Sequence, residues 1–207
     1  TSDAPLKDTL KQVFGYDSFR PGQKQNIEDL LNNHDVLAVM PTGAGKSLCY
    51  QLPALMRTSK TIIVSPLLAL MNDQTAALKD LDVGATAIHS GRRRSDNVCS
   101  WRRFTSGEAQ ILYLSPERLM QERMIKALQA QDIGMFVIDE AHCISKWGVG
   151  FRPDYEALSQ LRSHFPEAVI GAFTATADKL HSLFLAVRPS DHINHLFCVN
   201  SFQICGH

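Results

Sequence analysis

Apolar residues in this chain come in short runs. Six of them, 35-DVLAVM-40, 60-KTIIVS-65, 85-ATAIH-89, 110-QILYLS-115, 134-GMFVID-139 and 168-AVIGAF-173, are rich in Val and Ile and bounded by polar, Gly or Pro residues. That is the pattern of short buried strands. Between them lie segments with helical spacing, such as 67-LLALMNDQTAALKDL-81 and 116-PERLMQERMIKALQA-130, the second opening with Pro in its first turn. Regular alternation of the two predicts an α/β fold: a mainly parallel, doubly wound sheet with helices on both faces and ligands beyond the carboxyl ends of the strands. Residues 178–207 are weakly patterned and stop without a clear closing element, as a terminus cut short would.

Composition narrows the picture. A chain of 207 residues with 44% hydrophobic side chains can bury a core. Lys+Arg and Asp+Glu both number 21, so binding to a highly charged partner must come from local patches. Cys49, Cys99, Cys143, Cys198 and Cys205 are scattered without a C-x-x-C pair, which argues against a zinc site or a disulfide framework and for a reducing compartment. The start, TSDAPLKDTL, has no apolar leader core, and no run reaches the ~18 apolar residues of a membrane span. A soluble intracellular protein with no membrane partner is expected.

The first strand runs into 40-MPTGAGKSLCYQ-51. Gly43 and Gly45 let the backbone bend so that the amides of Thr42 to Gly45, Ala44 included, point inward at phosphate oxygens. Lys46 is then within reach of β- and γ-phosphates, and the Ser47 hydroxyl can ligate Mg²⁺. A strict phosphate-loop pattern would have Gly where Met40 stands, so the match rests on the later residues. The fifth run ends in 139-DEAH-142. Asp139, at a strand end, is placed to hold Mg²⁺, and Glu140 to orient and deprotonate an attacking water. His142 could link the γ-phosphate to the segment that follows, or be an ordinary loop histidine.

These residues resemble the superfamily 2 DExH helicases, and among them the RecQ family of ATP-dependent DNA helicases. The likeness is carried by 14-FGYDSFRPGQ-23, 41-PTGAGKSLCYQLPAL-55, 64-VSPLLALMNDQ-74, 115-SPERL-119, 139-DEAHCISKWG-148, 151-FRPDY-155 and 173-FTATA-177. It implies the first RecA-like lobe of such an enzyme, a P-loop NTPase. Residues 1–32 would be N-terminal helices carrying an adenine-reading motif, and residues 33–207 the ATP-binding domain. Gln23 would pair with the adenine edge, with Tyr16 and Arg20 stacking on its ring; without the other blocks, Tyr16 would read as a helix-packing aromatic.

The resemblance also assigns a DNA path. Ser65 and Pro66 would form a turn whose free amides meet a DNA phosphate. Trp147, Phe151 and Arg152 would contact single-stranded DNA and signal to the ATP site, with Thr174 and Thr176 linking the acidic pair to that movement. The family's W-G-H-D-F-R loop reads 147-WGVGFR-152 here, so Val149 and Gly150 replace two polar members and weaker coupling is expected, unless Trp147 and Phe151 suffice.

Single-stranded DNA, duplex junctions and a second RecA-like lobe, in cis or trans, are the implied partners, with ATP and Mg²⁺ as cofactors. Location would be cytoplasmic, nucleoid-associated in a bacterium or nuclear in a eukaryote. Two rival readings remain: a nucleotide- or DNA-binding piece without turnover, and a P-loop ATPase that does not act on nucleic acid. The cluster 92-RRR-94 with Arg102, Arg103 and Trp101 is read as a solvated helix face, with contact to a phosphate backbone as the alternative.

Overall fold

The computed structural model describes residues 3–141, 161–175 and 195–198. Seven parallel strands form one sheet: β1 (Val36–Val39), β2 (Lys60–Val64), β3 (Ala85–Ile88), β4 (Ile111–Leu114), β5 (Ile133–Ile138), β6 (Val169–Thr174) and β7 (His195–Cys198), in the spatial order β3-β4-β2-β5-β6-β1-β7. The six apolar runs supply β1 to β6. Within the weakly patterned residues 178–207, His195–Cys198 forms a seventh strand, which pairs with β1.

Helices cover both faces because alternate strand residues serve different layers. Val36 and Ala38 of β1, with Ile63, Tyr113, Val137 and Phe173, face one core. That core is closed by α1 (Asp3–Phe14), α2 (Gln23–Leu31), α3 (Lys46–Met56) and α4 (Leu68–Asp80). Leu37, Ile62, Leu112, Phe136 and Ile170 face the other core, beneath α5 (Arg94–Thr105), α6 (Pro116–Leu119), α7 (Glu122–Gln129) and the helical residues 161–164. The three-layer doubly wound expectation holds. The single helix expected over 116–130 is two: Ser115 O accepts from Arg118 and Leu119, the chain turns at Met120–Gln121, and α7 restarts.

Strand order brings the chemistry together. β1, β6 and β5 are neighbours, with Val39 opposite Thr174 and Ile138 opposite Ala172. The loop after β1, the acidic pair after β5 and the end of β6 therefore emerge side by side. Met40 N–H donates to Thr174 O at 2.8 Å, fastening the loop's first residue to the end of β6.

Candidate nucleotide site

The phosphate loop is built on two left-handed glycines, Gly43 at φ 82° and Gly45 at φ 78°. Gly45 is demanded twice. A Cβ there would be strained at that φ and would lie 2.4 Å from Gln23 Nε2. Met40, where the strict pattern has Gly, is fully buried and packs its sulfur against Asn26 Nδ2 and Cys49 Sγ, each at 3.7 Å. It is the floor under the loop rather than part of the cradle. Thr42 and Gly43 are exposed, Ala44 and Gly45 half-buried. Ala44 N–H closes a turn onto Pro41 O at 3.0 Å. α3 starts at Lys46, so its first-turn amides and the positive end of its dipole face the same space.

Lys46 and Glu140 meet: Nζ is 2.7 Å from Oε1, with both side chains largely buried. Glu140 takes a left-handed backbone, φ 51°, and its N–H donates to Asp139 Oδ1 at 3.0 Å. Asp139 itself is 3% exposed. Burial raises its pKa above the usual aspartate range; the Lys46 charge opposes this and the Glu140 charge reinforces it.

Sequence reading missed a second tier behind this pair. Tyr50 OH reaches Asp139 Oδ2 at 3.1 Å and Gln74 Oε1 at 3.3 Å. Tyr113 OH donates to the same Gln74 oxygen at 2.8 Å and accepts from Gln51 Nε2 at 2.9 Å. Burial pushes both phenols upward in pKa, so they stay protonated as donors. One local signal was available: Tyr50 lies four residues after Lys46 on α3, on the same helix face. The partners Gln74 and Tyr113 leave no such trace.

Gln23 is 2% exposed and both ends of its amide are engaged. Oε1 accepts from Arg20 N–H at 2.8 Å, and Nε2 lies 3.3 and 3.2 Å from the carbonyls of Ala44 and Gly45. Reading a base would mean exchanging one of these contacts. Arg20 Nη1 donates to Gly43 O, a second tie to the loop. A cavity of about 280 Å³ opens beside the loop, lined by Tyr16, Arg20 and Gln23 on one side and by Ser47, Gln51 and Leu81 on the other. Tyr16 is 54% exposed, its ring free to meet a flat ligand.

The expectation for the Ser65–Pro66 turn is corrected. Ser65 N–H is used by the sheet, donating to Leu114 O at 3.1 Å, Pro66 has no N–H, and Leu67 N–H turns to Ser65 Oγ at 3.4 Å. The orphan amides lie one turn on, at Leu68 to Leu70 of α4, whose first intrahelical bond is made by Met71 N–H to Leu67 O. Thr174 is buried at the end of β6. His142, Trp147, Val149, Gly150, Phe151, Arg152 and Thr176 lie outside the described residues. The reading of 92–94 as a solvated face fails for Arg92, whose guanidinium donates to Ala87 O and to Ser100 Oγ, the latter at 2.9 Å.

A metal fits the donor set. Mg²⁺ is ordinarily held by one or two protein oxygens plus nucleotide phosphates, and Ser47 with Asp139 offers that combination. Among the described residues no group of three or more His, Cys, Asp or Glu could form a cage of its own. Nor is any described helix long and apolar enough to cross a membrane.

Residues 20–183 match the DEAD/DEAH box helicase family model, and the chain belongs to that family. Its sequence is similar to RecQ-type proteins over most of its length. It is 44% identical over 169 residues to the ATP-dependent DNA helicase RecQ of Haemophilus influenzae, covering 82% of this chain and 27% of that protein. It is 43% identical over 201 residues to the probable ATP-dependent DNA helicase RecS of Bacillus subtilis, covering 94% of this chain and 40% of that one. The chain thus spans well under half the length of these relatives. The fold matches a hypothetical ATP-dependent RNA helicase from Sulfolobus tokodaii with a TM-score of 0.70 at 18% identity, over 95% of this chain and 56% of that structure.

Proposed function

We propose that this chain is the ATP-binding and hydrolysing lobe of a RecQ-type DNA helicase. The observation that carries the reading is the meeting of Lys46 and Glu140 at 2.7 Å beside buried Asp139, at the carboxyl edge shared by β1, β5 and β6. Phosphate oxygens entering the glycine loop compete with Glu140 for Lys46. As Lys46 turns to the β- and γ-phosphates, the Glu140 carboxylate is released to orient a water and accept its proton. Ser47 and Asp139 would hold Mg²⁺, which when bound neutralises phosphate charge. Tyr16 and Arg20 would flank the adenine at the cavity mouth, with Gln23 meeting its edge.

The rest follows from the family. Trp147, Phe151 and Arg152 would contact single-stranded DNA and act through His142 on the γ-phosphate, with the α4 turn after Ser65 and Pro66 on the strand's path and Thr174 and Thr176 relaying the movement. A second RecA-like lobe, in cis or trans, would complete the site and allow 3′-to-5′ translocation and unwinding at duplex junctions, in repair or recombination. The compartment would be the cytoplasm, at the nucleoid in a bacterium, or the nucleus in a eukaryote.

The test is steady-state ATP hydrolysis by this chain with and without single-stranded DNA, with Lys46→Ala as the blank. Turnover above the blank that rises with DNA supports the reading, and Trp147→Ala should remove the rise while sparing nucleotide binding. Turnover at the blank's level with nucleotide still bound would make the chain a binding piece only.

A further inference from the structure

The helices α5 and α7 lie on the sheet face opposite the nucleotide cavity, and between them runs a groove of about 550 Å³. Four arginines line it: Arg92, Arg94, Arg118 and Arg123. Arg92 is fixed in place by its bonds to Ala87 O and Ser100 Oγ. Arg94, Arg118 and Arg123 make no ion pair among the described residues. The acids of the same elements are turned elsewhere: Asp96, Glu117 and Glu122 do not line the groove, and Glu122 is paired with Lys126 at 2.6 Å. In a chain of zero net charge this is a local cationic concentration, and arginine's planar fork suits bidentate contact with carboxylates.

The floor is apolar and mainly aliphatic, from Ile88, Val98, Met124 and Ala127. Val98 is 42% exposed, and Met124 is half-buried with a side chain able to adapt to a partner. Trp101 lines the groove half-buried, packed on Phe104 with centroids 5.9 Å apart, against the core beneath. Strand-tracking nucleic-acid sites interleave positive charge with open aromatic faces on which bases stack. This groove has the charge but a single aromatic, Trp101, half-buried against Phe104, where such sites present several in series. An aliphatic trough between two helices, rimmed by guanidinium groups, instead matches an extended or helical peptide that presents apolar side chains between carboxylates.

We propose that the α5–α7 groove docks an acidic peptide segment of a partner protein, its Asp and Glu side chains on Arg94, Arg118 and Arg123 and its apolar side chains on Val98 and Met124. The test is fluorescence anisotropy with a labelled peptide alternating Asp/Glu with Leu/Phe, its Asn/Gln counterpart, and a single-stranded oligothymidylate, read on the wild type and on an Arg118→Glu/Arg123→Glu variant. Both positions are solvent-accessible, and an unchanged thermal unfolding curve verifies that the variant folds. The acidic peptide should bind in the tens-of-micromolar range, the neutral one far more weakly, and the double charge reversal should weaken the acidic peptide by about tenfold or more. Equal binding of the two peptides, or no effect of the reversal, overturns the proposal. So does an oligonucleotide that binds and is lost on reversal while the acidic peptide fails to bind, which would make the groove a nucleic-acid contact.

Discussion

Replacing Tyr50 with Phe removes one oxygen from the second tier of the site and little else. The ring is 1% exposed and rests edge-on against Phe173 at 5.3 Å, a contact that Phe retains. The hydroxyl is what holds Asp139 Oδ2 at 3.1 Å, leaving that carboxylate, once it is gone, with the Glu140 N–H on Oδ1. A hydrogen bond to a charged buried acceptor contributes about 1.5–3 kcal/mol, and loss of a partner that orients a metal-holding carboxylate typically weakens metal binding about 10–100-fold. The Tyr50 bond lowers the Asp139 pKa against the upward pull of burial, so its removal moves that pKa further up. Two readouts follow for Mg²⁺-dependent ATP hydrolysis by Tyr50→Phe. The Mg²⁺ concentration for half-maximal rate should rise at least tenfold, and the acid limb of the pH profile should shift to higher pH, because in the proposed function Asp139 would hold the metal only when ionised. A wild-type Mg²⁺ dependence together with an unmoved acid limb would refute the assignment of Tyr50 as the residue that positions Asp139.

Four further outcomes are expected. Asp139→Asn should abolish turnover yet raise the midpoint of thermal unfolding near neutral pH. The sign follows from the raised pKa: the folded state favours protonated Asp139, so its contribution is fullest below the ordinary aspartate range and is lost as pH rises through the raised value; at pH 4 the gain should shrink. Gln23→Ala should weaken ATP binding about tenfold and GTP binding less, measured with fluorescent nucleotide analogues; an equal fall would restrict Gln23 to supporting the loop through Ala44 and Gly45. Gly45→Ala should remove nucleotide binding in the same assay, since its Cβ would meet Gln23 Nε2 at φ 78°, and unchanged affinity would contradict the loop geometry. Asp35→Ala should cost roughly 2–3 kcal/mol in denaturant unfolding, because Asp35 pairs with Arg162 and accepts from Ile170 N–H at 2.8 Å; a loss below 0.5 kcal/mol would be too small for such a clasp.

Much of this architecture was legible because parallel strands buried on both faces leave near-continuous Val and Ile runs, and β1 to β6 all announce themselves so. β7 does not: His195–Cys198 is four residues long at the sheet edge, and its partner β1 lies far back in the chain. The phosphate loop and the acidic pair are local motifs, so their residues could be named before any contact was known. What local pattern cannot carry is the company those residues keep. Tyr50, Gln51, Gln74 and Tyr113 come from α3, α4 and β4 and become a network only once the sheet order sets those elements around Asp139. The misplacement of the free amides at Ser65 has the same origin, since the hydrogen bond that removes the Ser65 amide comes from β4.

The site concentrates features that oppose folding. Asp139 is ionised only against its burial, Glu140 holds a left-handed backbone without being glycine, and the loop needs two glycines at positive φ. The Lys46–Glu140 pair offsets part of this, because each charge is far less costly at 2.7 Å from its opposite than alone in a largely buried setting. In the proposed function it would also set the order of events. A phosphate that enters would exchange one anion for another at Lys46, a near-balanced step, and the Glu140 carboxylate would turn from the lysine toward the attacking water. On that reading phosphate binding and the repositioning of Glu140 are one rearrangement at a single lysine, which is why Lys46→Ala is a sharper control for this site than loss of either carboxylate.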